Sequence, residues 1–383
     1  MTATLDILGQ LVAFDTTSRN SNLPLIEWVT GYLDDHGVES RVLSDASGEK
    51  ANLVASLGPA VAGGVVLCGH TDVVPTDSQP WTRDPFTLAR EGSRAYGRGT
   101  ADMKGFIASA LAAVPRMKAG QLRRPIVLAF SHDEETGCLG APSLADALVA
   151  DGPPPIAVVT GEPTEMRVVR AHKGIRAFRT TVNGRDGHSS RTDVTASAVM
   201  AAARIVTFVE ELAERLSVDG VRVPGFLPQH TTMSVGQING GTAINIVPRR
   251  CEVVWEYRWV PGEDVDGISD RVAAFVHDVA LPRLQRVAPE ASVATETIVD
   301  VPALDAAGND EAAAFVRDLT GAGDGDPVAY STDGAVLQAR GLPTVVCGPG
   351  SIAQGHQPDE FIEVAELERC DRFMDRLAEW ATG

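Results

Sequence analysis

Two adjacent glutamates, Glu134 and Glu135, follow the apolar run PIVLAF in the segment AFSHDEETG. Neighbouring like charges repel each other, and the end of a strand gains little stability from them. Such a pair is useful where the two carboxylates have different tasks, one binding a cation and the other accepting a proton. Taken alone, a Glu-Glu pair is more often a solvated turn, so its meaning depends on the residues that surround it.

Other acidic and imidazole side chains follow apolar runs or precede a helical pattern. They are His70 and Asp72 in VVLCGHTDVVP, Asp102 in GRGTADMKG, Glu162 in VVTGEPT and His356 in SIAQGHQPDE. In open α/β sheets, ligands bind outside the carboxyl ends of the strands. We therefore expect these side chains to converge at one edge of a sheet.

Convergence of these groups predicts a site for two divalent metal ions. Several carboxylates in one crevice would repel each other and be costly to desolvate unless cations neutralised them. Imidazole mixed with carboxylate, without thiolate, suits Zn²⁺, with Co²⁺ or Mn²⁺ as substitutes. If Glu135 binds metal, Glu134 is free to act as a general base. Asp72 lies on the same side of an extended chain as His70, and we expect it to hold that ring from behind.

For four polar residues from the middle of the chain, spacing alone does not distinguish a functional role from a structural one. His188 in NGRDGHSS suits a surface turn as well as a site, and Asn245 in AINIVP is equally ambiguous. Arg258 ends a largely apolar strand pattern and could face solvent. Lys173, in RAHKG, belongs to a basic segment that could be a hinge carrying solvated charges.

The first and last parts of the chain alternate short apolar runs with helical patterns. This alternation predicts an α/β fold with a mixed sheet and helices on both of its faces. The predicted strands are NLVASL, VVLCG, PIVLAF, IAVVTG and TVVCG. The predicted helices lie near Leu5–Phe14, Leu25–His36, Gly105–Met117, Leu144–Ala150, Asp333–Arg340 and Ala365–Trp380.

The middle of the chain has a different order of elements. Helical patterns at Thr195–Leu216 and Val265–Ala280 are combined with four strand patterns, AFRTTVNG, TTMSVGQING, RCEVVWEYR and ASVATETI. The resulting order β-α-β-β-α-β is the split βαβ pattern. We therefore predict an inserted domain at residues 176–290, between the two parts of a first domain at 1–175 and 291–383.

Composition excludes several classes of function. The 383 residues include 33 basic and 51 acidic ones, a net charge of −18, which argues against nucleic acid and anionic membranes as partners. Five scattered cysteines without a C-x-x-C pair favour a reducing compartment. No basic residue precedes Arg19, and no apolar run approaches the length of a membrane span, so we expect a soluble, cytoplasmic protein.

Six segments of the chain occur together in a known family of enzymes: GHTDVVP, YGRGTADMKG, DEETG, GEPT, GHSS and GPGSIAQGHQPDE. On these segments the chain resembles, over essentially its whole length, the dinuclear zinc aminoacylase/carboxypeptidase family, the carboxypeptidase G-type metallopeptidases. The resemblance implies a zinc-peptidase α/β domain with an inserted ferredoxin-like lid through which two subunits form a homodimer.

The resemblance also implies a role for each candidate residue. One metal would be bound by His70, Asp102 and Glu162, and the other by Asp102, Glu135 and His356. Glu134, Asp72 and His188 would be the catalytic residues, with Glu134 as the base and His188 reaching the active site of a partner subunit. Asn245 and Arg258 would recognise a substrate carboxylate, with Lys173 and Asp333 nearby. The chain departs from the family pattern at Asp333, where Glu is usual, and at Gly355, where Ala is common.

The activity implied is metal-dependent hydrolysis of a small N-acyl-L-amino acid. The first candidate substrate is N²-acetyl-L-ornithine, cleaved to ornithine and acetate in arginine biosynthesis. A desuccinylase or a dipeptidase is the alternative among enzymes. A metal-binding dimer without catalysis is the alternative from another class, and the intact Glu134 argues against it.

Overall fold

The structure, a computed structural model, describes residues 2–383. They divide into two units. The first unit consists of the described residues up to Ala171 together with Leu304–Pro327 and Thr332–Gly383. The second consists of His172–Ala303 and Val328–Ser331. Elements are numbered along the chain through both units.

The first unit contains nine strands and seven α-helices among its described residues. The strands are β1 (Ser40–Ser44), β2 (Ala51–Leu57), β3 (Val65–His70), β4 (Ala89–Glu91), β5 (Arg94–Tyr96), β6 (Ile126–Ser131), β7 (Ala157–Pro163), β14 (Thr344–Gly348) and β15 (Phe361–Glu363). The helices are α1 (Thr2–Ala13), α2 (Leu23–Asp35), α3 (Lys104–Ala119), α4 (Ala141–Asp151), α8 (Asp310–Thr320), α9 (Asp333–Ala339) and α10 (Val364–Thr382).

Six of these strands form a mixed sheet in the order β1-β2-β6-β3-β7-β14. The neighbouring strands β6, β3, β7 and β14 are parallel to one another, and β2 pairs with β6 in the antiparallel sense. Strand β3 is buried along its whole length, and its alternate residues belong to two apolar clusters. Val65 and Leu67 pack in the larger cluster with α1, α3 and α10, while Val66 and Cys68 pack with α4 and α9. The predicted mixed sheet with helices on both faces is confirmed.

The predicted helices of this unit correspond to α1, α2, α3, α4, α9 and α10. Helix α8 and the small sheet formed by β4, β5 and β15 were not predicted. The strands of that sheet are three residues long, which is too short for a clear alternation of apolar and polar residues.

The second unit is built on a four-stranded antiparallel sheet in the order β10-β12-β8-β13. Helices α5 and α6 pack against this sheet through an apolar cluster that includes Trp255 and Tyr257. Its strands are β8 (Gly174–Asn183), β9 (Gly187–His188), β10 (Thr232–Gly240), β11 (Ile246–Val247), β12 (Arg250–Trp259) and β13 (Ser292–Val301). Its helices are α5 (Ala198–Asp219), α6 (Val265–Phe275) and α7 (Leu281–Gln285), with a π-helical turn, Val276–Ala280, between the last two.

The order β8-α5-β10-β12-α6-β13 is the split βαβ order read from the sequence. The structure places the boundaries of this unit wider than residues 176–290, because β13 lies beyond 290 and pairs with β8 in the same sheet. The predicted helix Val265–Ala280 also ends earlier as an α-helix, at Phe275. None of the helices in the described part of the chain is long and apolar enough to cross a membrane.

Candidate metal centre and active site

The parallel strands of the first unit place acidic and imidazole residues at one edge of its sheet. His70 is the last residue of β3, and Glu162 lies near the end of the neighbouring β7. Glu134 and Glu135 follow β6, which pairs with the other side of β3. Because the carboxyl ends of parallel strands meet at the same edge, the three strands bring these side chains together.

Two ligand groups lie at this edge. The first ligand group consists of His70, Asp102 and Glu162, whose donor atoms lie within 4.8 Å of one another. His70 Nε2 is 3.1 Å from Asp102 Oδ1 and 3.8 Å from Glu162 Oε1. All three residues are buried, and Glu162 Oε1 has no hydrogen-bond partner among the described residues. A buried carboxylate oxygen without a partner is expected where a cation binds.

The second ligand group consists of Asp102, Glu135 and His356, again with donor atoms within 4.8 Å of one another. His356 Nε2 lies 3.0 Å from Glu135 Oε2 and 3.3 Å from Asp102 Oδ2. Asp102 thus directs Oδ1 toward the first group and Oδ2 toward the second. This is the geometry that a carboxylate needs in order to bridge two ions.

The charges of the two groups fit divalent cations. Burial raises the pKa of Glu135 and of Glu162, with the nearby Asp102 carboxylate adding to both shifts. Hydrogen bonds to Asp102 and Glu135 raise the pKa of His356 to about 10. Without a cation, these carboxyl groups can keep their charge only at high cost. A donor set of imidazole nitrogens and carboxylate oxygens is one that Zn²⁺ and similar ions accept.

Asp72 is positioned differently from the sequence expectation. His70 Nδ1 is held by the main-chain carbonyl of Asp72 at 2.9 Å, whereas the nearer carboxylate oxygen, Oδ1, lies 3.7 Å away. That carboxylate instead accepts hydrogen bonds from the main-chain N–H groups of Glu134 at 3.1 Å and Glu135 at 3.3 Å. Ser18 Oγ donates a further bond at 2.7 Å. The Asp72 side chain therefore holds the turn that bears both glutamates, and its backbone orients the imidazole.

Glu134 stands beside two buried residues, Cys138 and Asp333, with donor atoms of all three within 4.8 Å. Burial raises the pKa of the Glu134 carboxyl; the charge of His70 opposes this shift. Cys138 Sγ lies 3.7 Å from Glu134 Oε1, and burial raises the pKa of this thiol, which disfavours thiolate. Cys138 was not predicted as a site residue, and its offset of four from Glu134 in DEETGC was the only signal.

Asp333, predicted to lie near the substrate, is buried at the start of α9. Its Oδ2 accepts a hydrogen bond from Ser131 Oγ, and Oδ1 is without a partner among the described residues. Burial raises the pKa of this carboxyl group. In this structure the side chain contacts the surroundings of Glu134 rather than an open surface.

His188 lies on a short two-stranded ladder of the second unit, and Asn245 directly precedes the other strand of that ladder. His188 ends β9 and pairs with Ile246, the residue that follows Asn245. The His188 side chain is exposed, with Nδ1 2.8 Å from Ser190 Oγ. The Asn245 carbonyl accepts a bond from Ser189 N at 3.0 Å, and its side chain is exposed.

Arg258 and Lys173 are the other two candidate site residues of the second unit, and both are basic. Arg258 lies near the end of β12 and donates from Nε to Glu256 Oε1 at 3.0 Å. Lys173 is buried just before β8, and its Nζ donates to the carbonyl of His230 at 2.6 Å. Burial and, second, the charge of Arg258 lower the pKa of Lys173 to about 8. All four candidate substrate and oxyanion residues of this unit thus belong to a different part of the fold from the ligand groups.

The family model for peptidase family M20/M25/M40 matches residues 66–380. The chain belongs to this family. It is 35% identical to the acetylornithine deacetylase of Proteus mirabilis, covering 96% of this chain and 92% of that protein. It is 37% identical to the acetylornithine deacetylase of Myxococcus xanthus, covering 96% and 95%. The resemblance to a metallopeptidase family read from the six sequence segments is confirmed.

Solved structures show the same fold at low sequence identity. The M20 family metallo-carboxypeptidase Sso-CP2 of Sulfolobus solfataricus superposes with a TM-score of 0.76 at 17% identity, covering all of both chains. The YXEP protein of Bacillus subtilis, a dinuclear metal binding peptidase from the M20 family, gives a TM-score of 0.67 at 15% identity, covering 98% of this chain and 97% of that one.

Proposed function

We propose that this protein is a metal-dependent amidohydrolase that removes the acetyl group from N²-acetyl-L-ornithine, or the acyl group from a close N-acyl-L-amino acid. The observation that carries this proposal is the pair of ligand groups sharing Asp102, with Glu134 beside them and outside both groups. The acetylornithine deacetylases that match nearly the whole chain support this choice of substrate.

In this proposal, His70, Asp102 and Glu162 bind one metal, and Asp102, Glu135 and His356 bind the other. Two Zn²⁺ ions, for which Co²⁺ or Mn²⁺ can substitute, would polarise the acyl carbonyl and make water more acidic. Glu162 is suited to this role because its buried Oε1 is unpartnered among the described residues.

Glu134 accepts a proton from the attacking water and passes it to the leaving amine. Two features support this role. Burial raises the pKa of its carboxyl group, which makes the carboxylate a stronger proton acceptor than a solvated glutamate. The hydrogen bond from Glu134 N to Asp72 fixes the backbone of the turn, which limits how far the carboxylate can move.

Recognition of the substrate falls to residues of the second unit. Arg258 and Asn245 bind the α-carboxylate, Arg258 through a charge-assisted bond. Lys173 adds positive charge beside Arg258, whereas Asp333, a residue of the first unit, shapes the surroundings of the base. His188, whose exposed ring has a local bond to Ser190, donates to the developing oxyanion in the active site of a partner subunit.

The homodimer is supported by the exposed edge of the second unit. Strand β10 is an edge strand of its sheet, so one side of it presents unpaired N–H and C=O groups. Ile238 on this strand is 50% exposed, and Ile244 in the following loop is fully exposed. A second copy of the chain, pairing here, would cover both the strand edge and the apolar side chains. A cytoplasmic location stays a prediction and agrees with the five buried, unpaired cysteines.

The test is a substrate panel on the purified protein, stripped of metal and reloaded with Zn²⁺. N²-acetyl-L-ornithine, an N-succinyl amino acid and a dipeptide are ranked by kcat/KM. We expect the acetyl substrate to rank first and the metal-free protein to be inactive. A higher rank for the succinyl substrate or the dipeptide would replace the proposed substrate. Metal binding without turnover of any of them would support the non-catalytic alternative.

A further inference from the structure

Two residues of the second ligand group lie in loops rather than in regular elements. Asp102 lies in the loop between β5 and α3, residues 97–103, here called the Asp102 loop. His356 lies in the loop between β14 and β15, residues 349–360, here called the His356 loop. Neither position is fixed by a helix or strand hydrogen-bond pattern. The flanking strands β5 and β15 pair, and Gly97 N donates to the Glu360 carbonyl at 2.9 Å. Beyond this backbone link at one end of each loop, side-chain contacts hold the two loops together.

Glu360, at the end of the His356 loop, holds the backbone of the Asp102 loop. Its buried carboxylate accepts hydrogen bonds from Gly99 N at 3.0 Å, Ala101 N at 2.9 Å and Asp102 N at 3.1 Å. Three main-chain donors that converge on one carboxylate fix the backbone from Gly99 to Asp102.

Arg98, at the start of the Asp102 loop, holds the His356 loop in return. Its guanidinium donates to Glu360 Oε2 at 2.8 Å and to the Gln357 carbonyl at 3.3 Å. It also donates to Gln79 Oε1 at 2.6 Å, and Gln79 Nε2 donates to the His356 carbonyl at 2.9 Å. Arg98 lies four residues before Asp102 and holds the His356 loop. Glu360 lies four residues after His356 and holds the Asp102 loop.

Stability alone is a poor explanation for this pair. Arg98 and Glu360 are each 1% exposed, and a buried ion pair often stabilises a fold no more than apolar residues of similar size would. The contacts also hold His356 in a left-handed backbone conformation, with φ of +62°, which a residue other than glycine adopts only at a cost. A role in positioning explains both the buried charges and the strained backbone.

We propose that Arg98 and Glu360 form a reciprocal latch that sets the distance between Asp102 and His356, and thereby the affinity of the second ligand group for its metal. The inference rests on the proposed metal site. Both members are positioning residues, because neither belongs to a ligand group. Glu360 accepts a hydrogen bond from the backbone of Asp102, and Arg98 donates to the carbonyl of Gln357, the residue after His356.

Zinc affinity, measured by competition with a coloured chelator, tests the latch. Glu360→Gln keeps the shape of the side chain but replaces one acceptor oxygen by a donor, so it cannot satisfy all three N–H groups. We expect Zn²⁺ to bind at least one site about 10- to 100-fold more weakly. The matched control is Glu363→Gln, three residues along the chain, which breaks an exposed ion pair with Arg94 of 2.7 Å. Its zinc affinity should stay within about threefold of wild type.

A second variant covers the case in which Glu360→Gln does not fold. Gln79→Leu removes the donor to the His356 carbonyl from a half-buried position and should weaken zinc binding by about threefold or more, less than the loss at Glu360. A purely structural role would lower the melting temperature of the metal-free variants and leave the zinc affinity of the folded protein unchanged. Unchanged affinity in both variants would overturn the latch, whereas wild-type protein that binds no metal would overturn the proposed function itself.

Discussion

At the scale of single residues, Glu134 and Glu135 are neighbours whose carboxyl groups meet different partners. Glu135 lies 3.0 Å from His356 in the second ligand group, while Glu134 lies beside Cys138 and Asp333. The side chains diverge although a single carboxylate, that of Asp72, holds both main-chain N–H groups. This divergence is what the proposed division of roles between the two glutamates requires.

Replacing each glutamate by glutamine separates their roles. Glu134→Gln should keep two zinc ions and lose about 10²- to 10⁴-fold in kcat, because an amide cannot accept the proton. Glu135→Gln should lose zinc affinity as well as activity. Metal content by atomic emission and steady-state rates check both variants. Near-normal turnover in fully metallated Glu134→Gln would remove the assignment of the base.

Arg258 is expected to recognise the α-carboxylate of the substrate. Arg258→Ala should raise KM for N²-acetyl-L-ornithine by roughly 10-fold or more, since a charge-assisted bond is lost. The loss should be much smaller for an N-acetyl amine without that carboxylate. Initial rates on the two substrates provide the comparison, and an equal loss on both would mean that Arg258 has a structural role.

The lowered pKa of Lys173 predicts that substrate binding depends on pH. Its pKa is lowered to about 8, so the ammonium loses its proton as the pH rises from about 7 to 9. If the charge helps to bind the α-carboxylate of the substrate, KM should rise across this interval. Lys173→Arg keeps the charge and should flatten the profile. A wild-type KM that is constant from pH 7 to 9 would contradict a contribution from the Lys173 charge.

At the scale of elements, the edge strand β10 is the place where we propose that two subunits associate. Most of its residues are exposed, and it contacts β12 on one side only. Open strand edges with apolar side chains tend to pair with another chain. The same sheet carries Arg258 on β12, so association through β10 would join two units that each bear substrate-binding candidates.

A charge on this edge should therefore block the homodimer. Ile238→Glu is expected to shift the protein from dimer to monomer, because a buried carboxylate at the new interface would be unpaired. Sedimentation velocity measures the change. Val42→Glu, an exposed apolar residue on β1 of the first unit, is the matched control and should stay dimeric. A dimer that survives Ile238→Glu would exclude β10 as the contact.

At the scale of the whole molecule, the ligand groups lie in the first unit and His188 lies in the second. If His188 acts on a neighbouring subunit, His188→Ala should lose about 10²- to 10³-fold in kcat with its metals intact. Glu134→Ala should be nearly inactive for a separate reason. When the two mutants are unfolded and refolded together, mixed dimers contain one site with both residues intact, and activity should return.

The mixing experiment has a defined negative outcome. Mixed dimers can be demonstrated with two different affinity tags, one on each mutant. If such dimers form and the activity stays at the level of the separate mutants, His188 does not act across subunits. Wild-type chains carrying the same two tags are the control, since they should keep full activity through the refolding.

What the sequence could determine was local. The strand patterns of β3, β6 and β7 and the polar residues that follow them are contiguous in the chain, and parallel pairing then predicts that those residues share an edge. The same local patterns predicted the β-α-β-β-α-β order of the main elements in the second unit and most helices of the first, but not α8 or the short strands β4, β5 and β15. The function of the individual site residues stays a proposal, because a strand end alone does not specify what its side chain binds.

Only the tertiary structure decided which groups touch across long separations in the chain. Arg98 and Glu360 are 262 residues apart, and Asp72 reaches the N–H of Glu134 across 62. No spacing rule connects such positions, because the contacts arise from the packing of loops at the sheet edge after folding. For the same reason the two oxygens of Asp102 could be assigned to different ligand groups only in three dimensions. The sequence determined which residues are available for chemistry, and the fold decided which of them meet.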